Sequence, residues 1–465
     1  MTNLALIRIN LRKPAHTLLA LLLGIALEFV VAACIPINLI RSDQTEEALG
    51  ISNGQIVYVG ADWNIYLTDI DGSKQTAITT NATLPSQDNM ASLVYLHPTW
   101  ARDGQHLAYV QTQKAFPNRT QDTVFIYDVA NGESTQVYAS TQEFIIYPYW
   151  SPDNQNLSLL TNAAVGSHLL LQMTSLGGDV QVVDTGGPYY WSFDPSGERA
   201  FVHSGRDENG NPSSILKLLT LDGENSETTI IDLGGATFQA PTWSKNGDKI
   251  LAAIRFDDGH SEIVLLDAEA EILETITRVN EAVAFGLSPD GTKVALIEKS
   301  SPTSPLFQGM LRVFDLKTGE EIFSSEESRV FAFFWSPDSQ MLAYYTYQFV
   351  PTIDFEAATS GDRLIGRTEI QTEGNLKISV GLYDLSSGET NVLMKQLTPS
   401  NGMMRVMIFF DQYQHSDTFW SPDSRWLLVI GAPIRGDEGI WVLDVSGEAS
   451  ARFLAEGILA FWSWR

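Results

Sequence analysis

The chain has 465 residues, 44% of them apolar and 10% aromatic, which is enough apolar surface for a sizeable folded core. Its formal charge of −27 excludes a nucleic-acid interface, because binding to a phosphate backbone requires a basic face. With a single cysteine, Cys34, no intramolecular disulfide can form.

The first 34 residues have the pattern of an export signal. Arg8, Arg12 and Lys13 precede an apolar run at residues 18–33, and these are the basic and hydrophobic regions of a signal peptide. The run ends in Val-Ala-Ala-Cys, which resembles a bacterial lipobox. This resemblance implies that Cys34 becomes the lipidated first residue of a lipoprotein.

The alternative is an uncleaved signal anchor over residues 18–40, which is long enough to span a membrane. Glu28 weakens both interpretations, because a charge inside an apolar segment is costly in a bilayer. Both predict the same topology, in which a membrane-anchored body lies outside the cytoplasm. Residues 35–53 would then form a polar tether.

One catalytic motif occurs at residues 50–54, which match G-x-S-x-G. A nucleophile elbow of this form needs a strand before it, a helix after it, and a later Asp and His on an α/β sheet. This copy lies in the predicted tether, directly before a predicted strand. We therefore interpret it as a coincidence of small residues and expect no catalytic residue.

The rest of the chain repeats one phrase, Trp-Ser-Pro-Asp followed by a small residue and an apolar strand. Its marker position is occupied by Trp100, Trp150, Trp191, Trp243, Leu287, Trp335 and Trp420, and a truncated copy follows at Trp462. A second phrase, an apolar strand ending in a polar turn, recurs eight times, as in FIYDVANGE and VGLYDLSSGE. Both phrases therefore indicate the same number of units.

The repeated phrase predicts a tight turn between two strands. Pro presets the backbone angle, Asp and Ser bind nearby backbone groups, and the last Gly, Asn or Ser takes the left-handed position. The strand after the turn is apolar on both faces, as in a sheet that is covered on both sides. Each unit thus contains four strands: A before the marker, B after the turn, then C and D.

Four-stranded sheets at this spacing predict an all-β fold, a β-propeller of eight blades, with seven as the alternative. The C-terminal copy supplies only strand A, whereas residues 54–80 supply B, C and D. We therefore expect the C-terminal strand to pair with the N-terminal strands and close the ring, which leaves no exposed edge. The propeller would span residues 54–465.

The W-S-P-D-G…L-A-Y phrase resembles the WD-repeat-like unit of the TolB-type propeller family. The resemblance covers essentially all of residues 54–465 and implies the fold, but it says little about function. TolB itself has a separate N-terminal α/β domain, whereas only the short tether precedes the ring here. The resemblance therefore does not imply a TolB-like role in envelope transport.

Metal and cofactor sites are not predicted. None of the seven histidines has the spacing of a metal-binding motif, although oligogalacturonate lyases, which resemble this family, hold a metal with channel-facing histidines. His97 and His415 are both expected near one mouth of the channel. The acidic turns at residues 69–72, 207–210 and 257–259 lack the ligand spacing of an EF-hand and are interpreted as turns.

The candidate binding face lies opposite the Ser-Pro-Asp turns, where the B–C and D–A connections meet. Long B–C loops are expected at residues 114–121, 205–212 and 349–374, and the Met-rich D–A connection at residues 401–416 lies on the same side. The candidate residues on this face are His97, Tyr149, Tyr190, Arg206, Phe349, Arg363, Arg367, Met403, Met404 and His415.

The sequence favours a non-catalytic, membrane-tethered module that binds a protein or peptide or acts as a scaffold, with a glycan as a further ligand class. The alternative is a channel-centred lyase or hydrolase that acts on a polysaccharide or peptide. A third hypothesis, a sensory ectodomain, would require a signalling partner. Three His or carboxylate side chains meeting in the channel would favour the enzyme.

Overall fold

The computed structural model describes residues 54–86, 90–115, 119–162, 168–206, 212–221, 227–236, 240–280, 282–300, 307–354 and 369–465. These residues belong to one compact unit, Ser52–Arg465. Cys34, the predicted export signal, the tether and the serine of the G-x-S-x-G match lie outside the described residues. Two candidate binding residues, Arg363 and Arg367, also lie outside them.

The described strands fall into eight groups, and each group is built from antiparallel neighbours. The first group joins the two ends of the described chain: β1 (Ile56–Gly60), β2 (Ile65–Thr68), β3 (Thr76–Ala77) and β31 (Gly457–Trp462). The second group contains β4 (Ser92–Trp100), β5 (His106–Ala115), β6 (Arg119–Asp128) and β7 (Glu133–Ser140). The third contains β8 (Ile145–Trp150), β9 (Leu157–Asn162), β10 (Leu169–Thr174) and β11 (Gln181–Gly186).

The next three groups repeat this arrangement. The fourth contains β12 (Tyr189–Phe193), β13 (Arg199–Arg206), β14 (Pro212–Thr220) and β15 (Glu227–Gly235). The fifth contains β16 (Thr242–Trp243), β17 (Lys249–Arg255), β18 (Ser261–Asp267) and β19 (Ile272–Val279). The sixth contains β20 (Val283–Leu287), β21 (Lys293–Lys299), β22 (Gly309–Asp315) and β23 (Glu321–Ser324).

The seventh and eighth groups differ from the other six in the lengths of their strands. The seventh contains β24 (Val330–Trp335), β25 (Met341–Asp354), β26 (Glu369–Asp384) and β27 (Thr390–Pro399). The eighth contains β28 (Trp426–Ala432), β29 (Gly439–Asp444) and β30 (Arg452–Ala455). Its strand A is reduced to a single bridge between Trp420 and Leu427. These eight groups are consistent with the prediction of eight blades.

The predicted closure of the ring is confirmed. β31 pairs antiparallel with β1, and Val57 lies opposite Phe461. The C-terminal strand therefore supplies strand A of a sheet whose other three strands come from the N-terminal end of the described chain. This pairing covers the edge that a strand of an open array would expose.

The hydrophobic core lies between neighbouring sheets. One cluster joins Val110 and Ile126 of the second group to Trp150 and Leu159 of the third. The strands after the turns are buried on both faces, as in β17, where every residue from Ile250 to Ile254 is buried. The apolar, non-alternating pattern of these strands follows from that double coverage.

The repeated phrase forms the predicted turn. In the seventh group, the Ser336 hydroxyl donates to Asp338 Oδ1 at 2.6 Å and accepts from the Met341 backbone N–H at 2.9 Å. Ser339 has a positive φ of 61°, the left-handed conformation expected at the last turn position. Ser336 and Asp338 are therefore turn residues.

The marker tryptophans link adjacent sheets. The indole N–H of Trp335 donates to the Gly286 carbonyl at 3.3 Å, and that of Trp420 donates to the Phe334 carbonyl at 3.1 Å. Both acceptors belong to strand A of the preceding group, Gly286 to β20 and Phe334 to β24. The prediction that Trp335 packs between blades is confirmed.

The described strands enter the ends of the three predicted B–C loops, and the middle of each loop lies outside the described residues. Pairing continues from Lys114 opposite Thr120 in the second group and as far as Arg206 opposite Pro212 in the fourth. In the seventh group, β25 and β26 cover the two ends of the expected loop, residues 349–354 and 369–374, and residues 355–368 lie outside the description. Antiparallel backbone hydrogen bonds thus satisfy polar groups that a loop would leave to solvent.

The Met-rich D–A connection at residues 401–416 is helical. This stretch forms the two described helices, α1 (Asn401–Ile408) and α2 (Phe410–Ser416). Neither described helix is long and apolar enough to cross a membrane. Residues 401–416 are called the central segment below.

Candidate functional site

The central segment begins with an amphipathic helix. Ser400 caps α1, because its hydroxyl accepts from the Met403 backbone N–H at 3.0 Å. The buried residues Met403, Val406, Met407 and Phe410 follow one another at helical spacing. This apolar stripe requires a partner surface, and the inner strands of the propeller provide it.

The segment lies inside the ring of A strands. Helix α2 contacts β8, β12, β20 and β24, while α1 contacts β24, β28 and β31. All but β28 are A strands, from five different groups. The central channel of the propeller is therefore occupied by part of its own chain.

Hydrogen bonds attach α2 to the channel wall. Gln412 binds both backbone groups of one residue: its Oε1 accepts from the Trp191 N–H at 3.0 Å and its Nε2 donates to the Trp191 carbonyl at 2.9 Å. Asp411 Oδ2 accepts from the Ala240 N–H at 2.9 Å. These bonds satisfy wall groups that have no neighbouring strand on the channel side.

Further contacts extend the attachment to other groups. The Tyr147 hydroxyl donates to Ser416 Oγ at 2.6 Å, and its ring packs edge-on against Tyr413 with centroids 4.9 Å apart. Phe410 packs against Phe333 at a centroid distance of 4.9 Å. The segment is thus held by both polar and aromatic contacts.

A cavity of about 780 Å³ opens on the face that carries the B–C and D–A connections. We call it the loop-face cavity. It lies between the second, third and fourth groups and the central segment, with Ile145, Leu169, Tyr190 and Phe409 in its lining. Phe409 is 44% exposed, and Phe144, which also lines this cavity, is 52% exposed. The lining is mainly apolar and is open to solvent.

The carboxylates of this cavity have structural partners. Asp122 accepts from the Thr112 hydroxyl and from the Ile145 N–H, both at 2.8 Å. Glu143 Oε2 accepts from the Tyr138 hydroxyl and from Gln172 Nε2, both at 2.7 Å. Each of these carboxylates is therefore held in a fixed orientation by two donors of the protein itself.

The cations of the cavity are Lys114, Arg405 and the imidazole of His97 when it is protonated. Arg405 Nη1 lies 3.3 Å from His97 Nε2. Burial and the charge of Arg405 both lower the pKa of His97, so this imidazole is neutral at pH 7. It can accept a hydrogen bond from the guanidinium in that form.

A second cavity of about 520 Å³ lies at the opposite end of the A strands, among the Ser-Pro-Asp turns. We call it the turn-face cavity. β12 illustrates the separation, because Tyr190 lines the loop-face cavity whereas Phe193 lines this one. Tyr149 and His415 stack here with ring centroids 6.4 Å apart. The central segment lies between the two cavities.

Burial shifts the pKa values of titratable groups in and beside the central segment. Burial raises the pKa of Asp411 to about 6 and that of Asp417 to about 7. Burial, together with the charge of Arg102, lowers the pKa of His415 to about 3. Burial therefore disfavours the charged form of each of these three groups, and at pH 7 His415 is neutral.

The structure places the eight described candidate residues in several different locations rather than in one site. His97 and Tyr190 line the loop-face cavity, and Met404 is half-buried on α1. Phe349 is 56% exposed on β25, and Arg206 ends β13. The expectation that His97 and His415 share one mouth is wrong, because His415 lines the turn-face cavity with Tyr149.

Met403 is fully buried, and its sulfur accepts from the Ile430 N–H at 3.3 Å. It therefore packs α1 against β28 instead of facing a ligand. The sequence analysis missed Phe144 and Phe409 altogether. Their signal is weak, since an aromatic residue next to a strand or helix end is ordinary in any sequence.

Metal binding has no support in the described part of the chain. No three or more His, Cys, Asp or Glu side chains lie close enough there to hold a metal ion. Two of the acidic sequences form turns, as predicted: Asp69 and Asp71 accept from Ser73, and the Asp258 carboxylate accepts from the His260 N–H. The third, at residues 207–210, lies outside the description.

No protein-family model matches the chain, and no curated protein matches it. Among solved structures, the Dos1 propeller is similar over 87% of this chain and 91% of its own, with 10% identity and a TM-score of 0.50. Oligogalacturonate lyase in complex with manganese is similar over 85% and 99%, with 13% identity and a TM-score of 0.46. TolB from Acinetobacter baumannii is similar over 60% and 67%, with 18% identity and a TM-score of 0.34.

The similarities to the lyase and to TolB are too distant to bear on this chain, and the similarity to the Dos1 propeller concerns the fold alone. A shared fold does not determine whether a protein is an enzyme. The repeat, the strand pairing and the closed ring agree with that similarity. The chain is therefore a β-propeller, the fold that its TolB-like repeat predicts.

Proposed function

We propose that the chain is a non-catalytic binding module whose loop-face cavity accepts an apolar segment of a protein or peptide. The observation that carries the proposal is the open, apolar cavity of about 780 Å³ beside Phe144 and Phe409. Exposed aromatic side chains at a concave site are typical anchors of protein interfaces. The volume lies within the range of pockets that enclose a small ligand or a few side chains.

The occupied channel supports binding over catalysis. A channel-centred lyase or hydrolase would have to admit its substrate among the A strands, where α2 already binds the wall through Gln412 and Asp411. The carboxylates of the loop-face cavity, Asp122 and Glu143, already accept hydrogen bonds from the protein. In both locations the acidic side chains hold parts of the fold together, which favours binding over catalysis.

Selection of peptides from a phage-displayed library on the purified full chain tests the proposal. Selected peptides should contain aromatic or branched apolar residues and should bind about tenfold more weakly to the double variant Phe144→Ser, Phe409→Ser, as expected for the loss of two interface anchors. Fluorescence polarisation with a labelled selected peptide measures the affinity.

The matched control is Ile230→Ser with Ile434→Ser, because these side chains are 65% and 62% exposed but line neither cavity. Their variant should bind the peptides as the unmodified chain does. Equal affinity for the Phe144→Ser, Phe409→Ser variant would refute the loop-face site. Binding of a glycan array in place of peptides, sensitive to the same two substitutions, would assign the cavity to the other ligand class.

The membrane tether is part of the proposal and rests on the sequence alone. Lipidation at Cys34 would hold the binding face outside the cytoplasm, and a signal anchor would do the same. Processing that is blocked by globomycin and absent in Cys34→Ala identifies the lipoprotein. An uncleaved, membrane-bound Cys34→Ala chain of unchanged mobility identifies the anchor.

A further inference from the structure

The turn-face cavity has a more polar lining than the loop-face cavity. Arg102, Lys245 and Arg465 are the basic residues in its lining. Asp417 carries the one side-chain carboxyl group among the described lining residues, and it is 5% exposed. A cavity with this excess of cations is unexpected in a chain whose formal charge is −27.

Arg102 is held in place without a charge partner. Its Nη2 donates to the His415 carbonyl at 2.9 Å, and its guanidinium lies over the Trp464 ring at 4.0 Å. Among the described residues, no carboxylate forms an ion pair with it, and burial lowers its pKa. A desolvated cation normally has an anion or several hydrogen-bond acceptors beside it.

Four buried side-chain polar atoms in the same lining also lack partners. They are His415 Nε2, Thr242 Oγ1, Trp243 Nε1 and Asp417 Oδ1, which have no hydrogen-bond partner among the described residues and belong to residues that are 8% exposed or less. Leaving such a group unsatisfied is costly, so buried polar atoms almost always bind something. Thr242 Oγ1 and Trp243 Nε1 can donate a hydrogen bond, and so can His415 Nε2 in the tautomer that is protonated there, whereas Asp417 Oδ1 accepts when its carboxyl group is ionised.

The aspartates of the neighbouring turns do not supply the missing anion. Asp153 accepts from the Gln155 N–H at 3.0 Å, and Asp338 accepts from the Gln340 N–H at 3.0 Å. Each carboxylate also accepts from the serine of its own turn, so these groups are directed into their turns. Asp417 is therefore the side-chain carboxyl group left in the lining, and burial raises its pKa to about 7, which weakens its negative charge.

We propose that the turn-face cavity binds a small molecule through an oxyanion, a carboxylate or a phosphate, with Arg102 as its charge partner and Thr242 and His415 as further donors. The planar guanidinium matches either oxyanion in a two-point contact. The cavity of about 520 Å³ is large enough for a compact metabolite-sized ligand. This site is separate from the loop-face cavity, so neither proposal depends on the other.

Titration calorimetry on the purified full chain tests the site, with succinate and inorganic phosphate as the two probes. At least one probe should bind, and the one that binds identifies the oxyanion. Arg102→Gln should weaken its binding about tenfold or more, the loss expected for a hydrogen bond between charged groups.

Thr242→Val separates a ligand role from a structural one. The substitution keeps the shape and removes a hydroxyl that has no partner among the described residues, so the melting temperature of the ligand-free chain should stay the same or rise. Probe binding should nevertheless weaken about threefold, which corresponds to one lost neutral hydrogen bond. This variant also keeps the test valid if Arg102→Gln does not fold.

Arg425→Gln is the matched control. This arginine also lies over a tryptophan ring, that of Trp426 at 5.9 Å, and belongs to a Ser-Pro-Asp turn, but it does not line the cavity. Its affinity for the probe should be unchanged. Absence of binding for both probes at about 10 mM, tenfold above a millimolar dissociation constant, would overturn the proposal. Equal binding by the unmodified chain and by both Arg102→Gln and Thr242→Val would do so as well.

Discussion

The loop-face cavity and the turn-face cavity lie at opposite ends of the same inner strands, yet their linings differ in chemistry. In the loop-face cavity the carboxylates Asp122 and Glu143 are satisfied by the protein, and aromatic surface remains exposed. In the turn-face cavity the aromatic residues are mostly buried, whereas donors of His415 and Thr242 have no partner among the described residues. The first resembles an interface for apolar groups, and the second resembles a small-molecule site.

This difference shows how one repeated unit can provide two kinds of surface. Every Ser-Pro-Asp turn uses the same internal hydrogen bonds, so the turn face varies little except where the central segment adds its own side chains. The connections on the other face differ in length and composition from group to group. The central segment contributes to both faces, with Phe409 and Gln412 in one cavity and His415 in the other.

The largest expected effect comes from truncating a buried ring of the central segment, which lies between the two cavities. Phe410→Ala should lower the free energy of unfolding by about 3–5 kcal/mol, because the side chain is buried against Phe333 and Phe334 and would leave a cavity. Urea unfolding followed by tryptophan fluorescence measures it. The adjacent Phe409→Ala is the control, with a change within about 0.5 kcal/mol, because that ring is 44% exposed. Equal losses for both would contradict the placement of α2.

The second effect is the pH dependence of stability that we expect from Asp417, which lines the turn-face cavity. Burial raises the pKa of Asp417 to about 7 from the ordinary value of 3.8, so the folded state holds the proton more tightly than the unfolded chain. Stability should therefore be greatest below pH 4 with respect to this group and should fall as the pH rises towards 7. Asp417→Asn should remove this fall and raise stability at pH 8 by up to about 4 kcal/mol, from about 1.4 kcal/mol per pKa unit.

Asp411→Asn provides the comparison for that measurement. Burial raises the pKa of Asp411 to about 6, so its contribution should be lost over a narrower range, between pH 4 and 6. Chemical unfolding at pH 4, 6 and 8 determines both profiles. A difference between Asp417→Asn and the unmodified chain that is the same at pH 4 and pH 8 would show that Asp417 is not protonated in the folded state.

A smaller loss is expected where the central segment binds the wall beside the loop-face cavity. Gln412→Leu preserves the size of the side chain but leaves the backbone N–H and carbonyl of Trp191 without this partner. The free energy of unfolding should fall by about 2 kcal/mol, the cost of unsatisfied buried groups. Gln340→Leu, in an exposed turn, is the control and should change it little. Thermal unfolding of both variants compares the two sites.

The smallest effect on stability should accompany the loss of loop-face binding. Phe144→Ser removes a side chain that is 52% exposed, so the melting temperature should change by less than the equivalent of about 0.5 kcal/mol. Differential scanning calorimetry measures this change, and affinity for a selected peptide is measured on the same sample. A large loss of stability would mean that the Phe144 side chain stabilises the fold instead of binding a partner.

Much of the fold was predictable because its determinants are local. Ser336 and Asp338 lie two residues apart and bind backbone groups of their own turn, so the phrase that contains them specifies the turn wherever it occurs. The position of Tyr149 was also implicit in the sequence. It directly precedes the marker Trp150, so it had to lie at the turn end of its strand, and assigning it to the other face was an error of reasoning.

The central segment shows the limit of that approach. The apolar spacing of Met403, Val406, Met407 and Phe410 indicates a helix in the sequence itself, and the sequence analysis overlooked it. The destination of the helix was not predictable in the same way. Its partners, among them Tyr147, Trp191 and Ala240, are more than 150 residues away along the chain.

The sequence by itself determined the repeated four-stranded unit, the turn chemistry and the closure of the ring, because each depends on residues that recur at short, regular spacing. The tertiary structure alone decided that the channel is occupied, that His97 and His415 face different cavities, and that Arg102 lies near donors without partners. These features arise where distant segments meet and exclude water, and burial then determines which charges and hydrogen bonds remain unsatisfied.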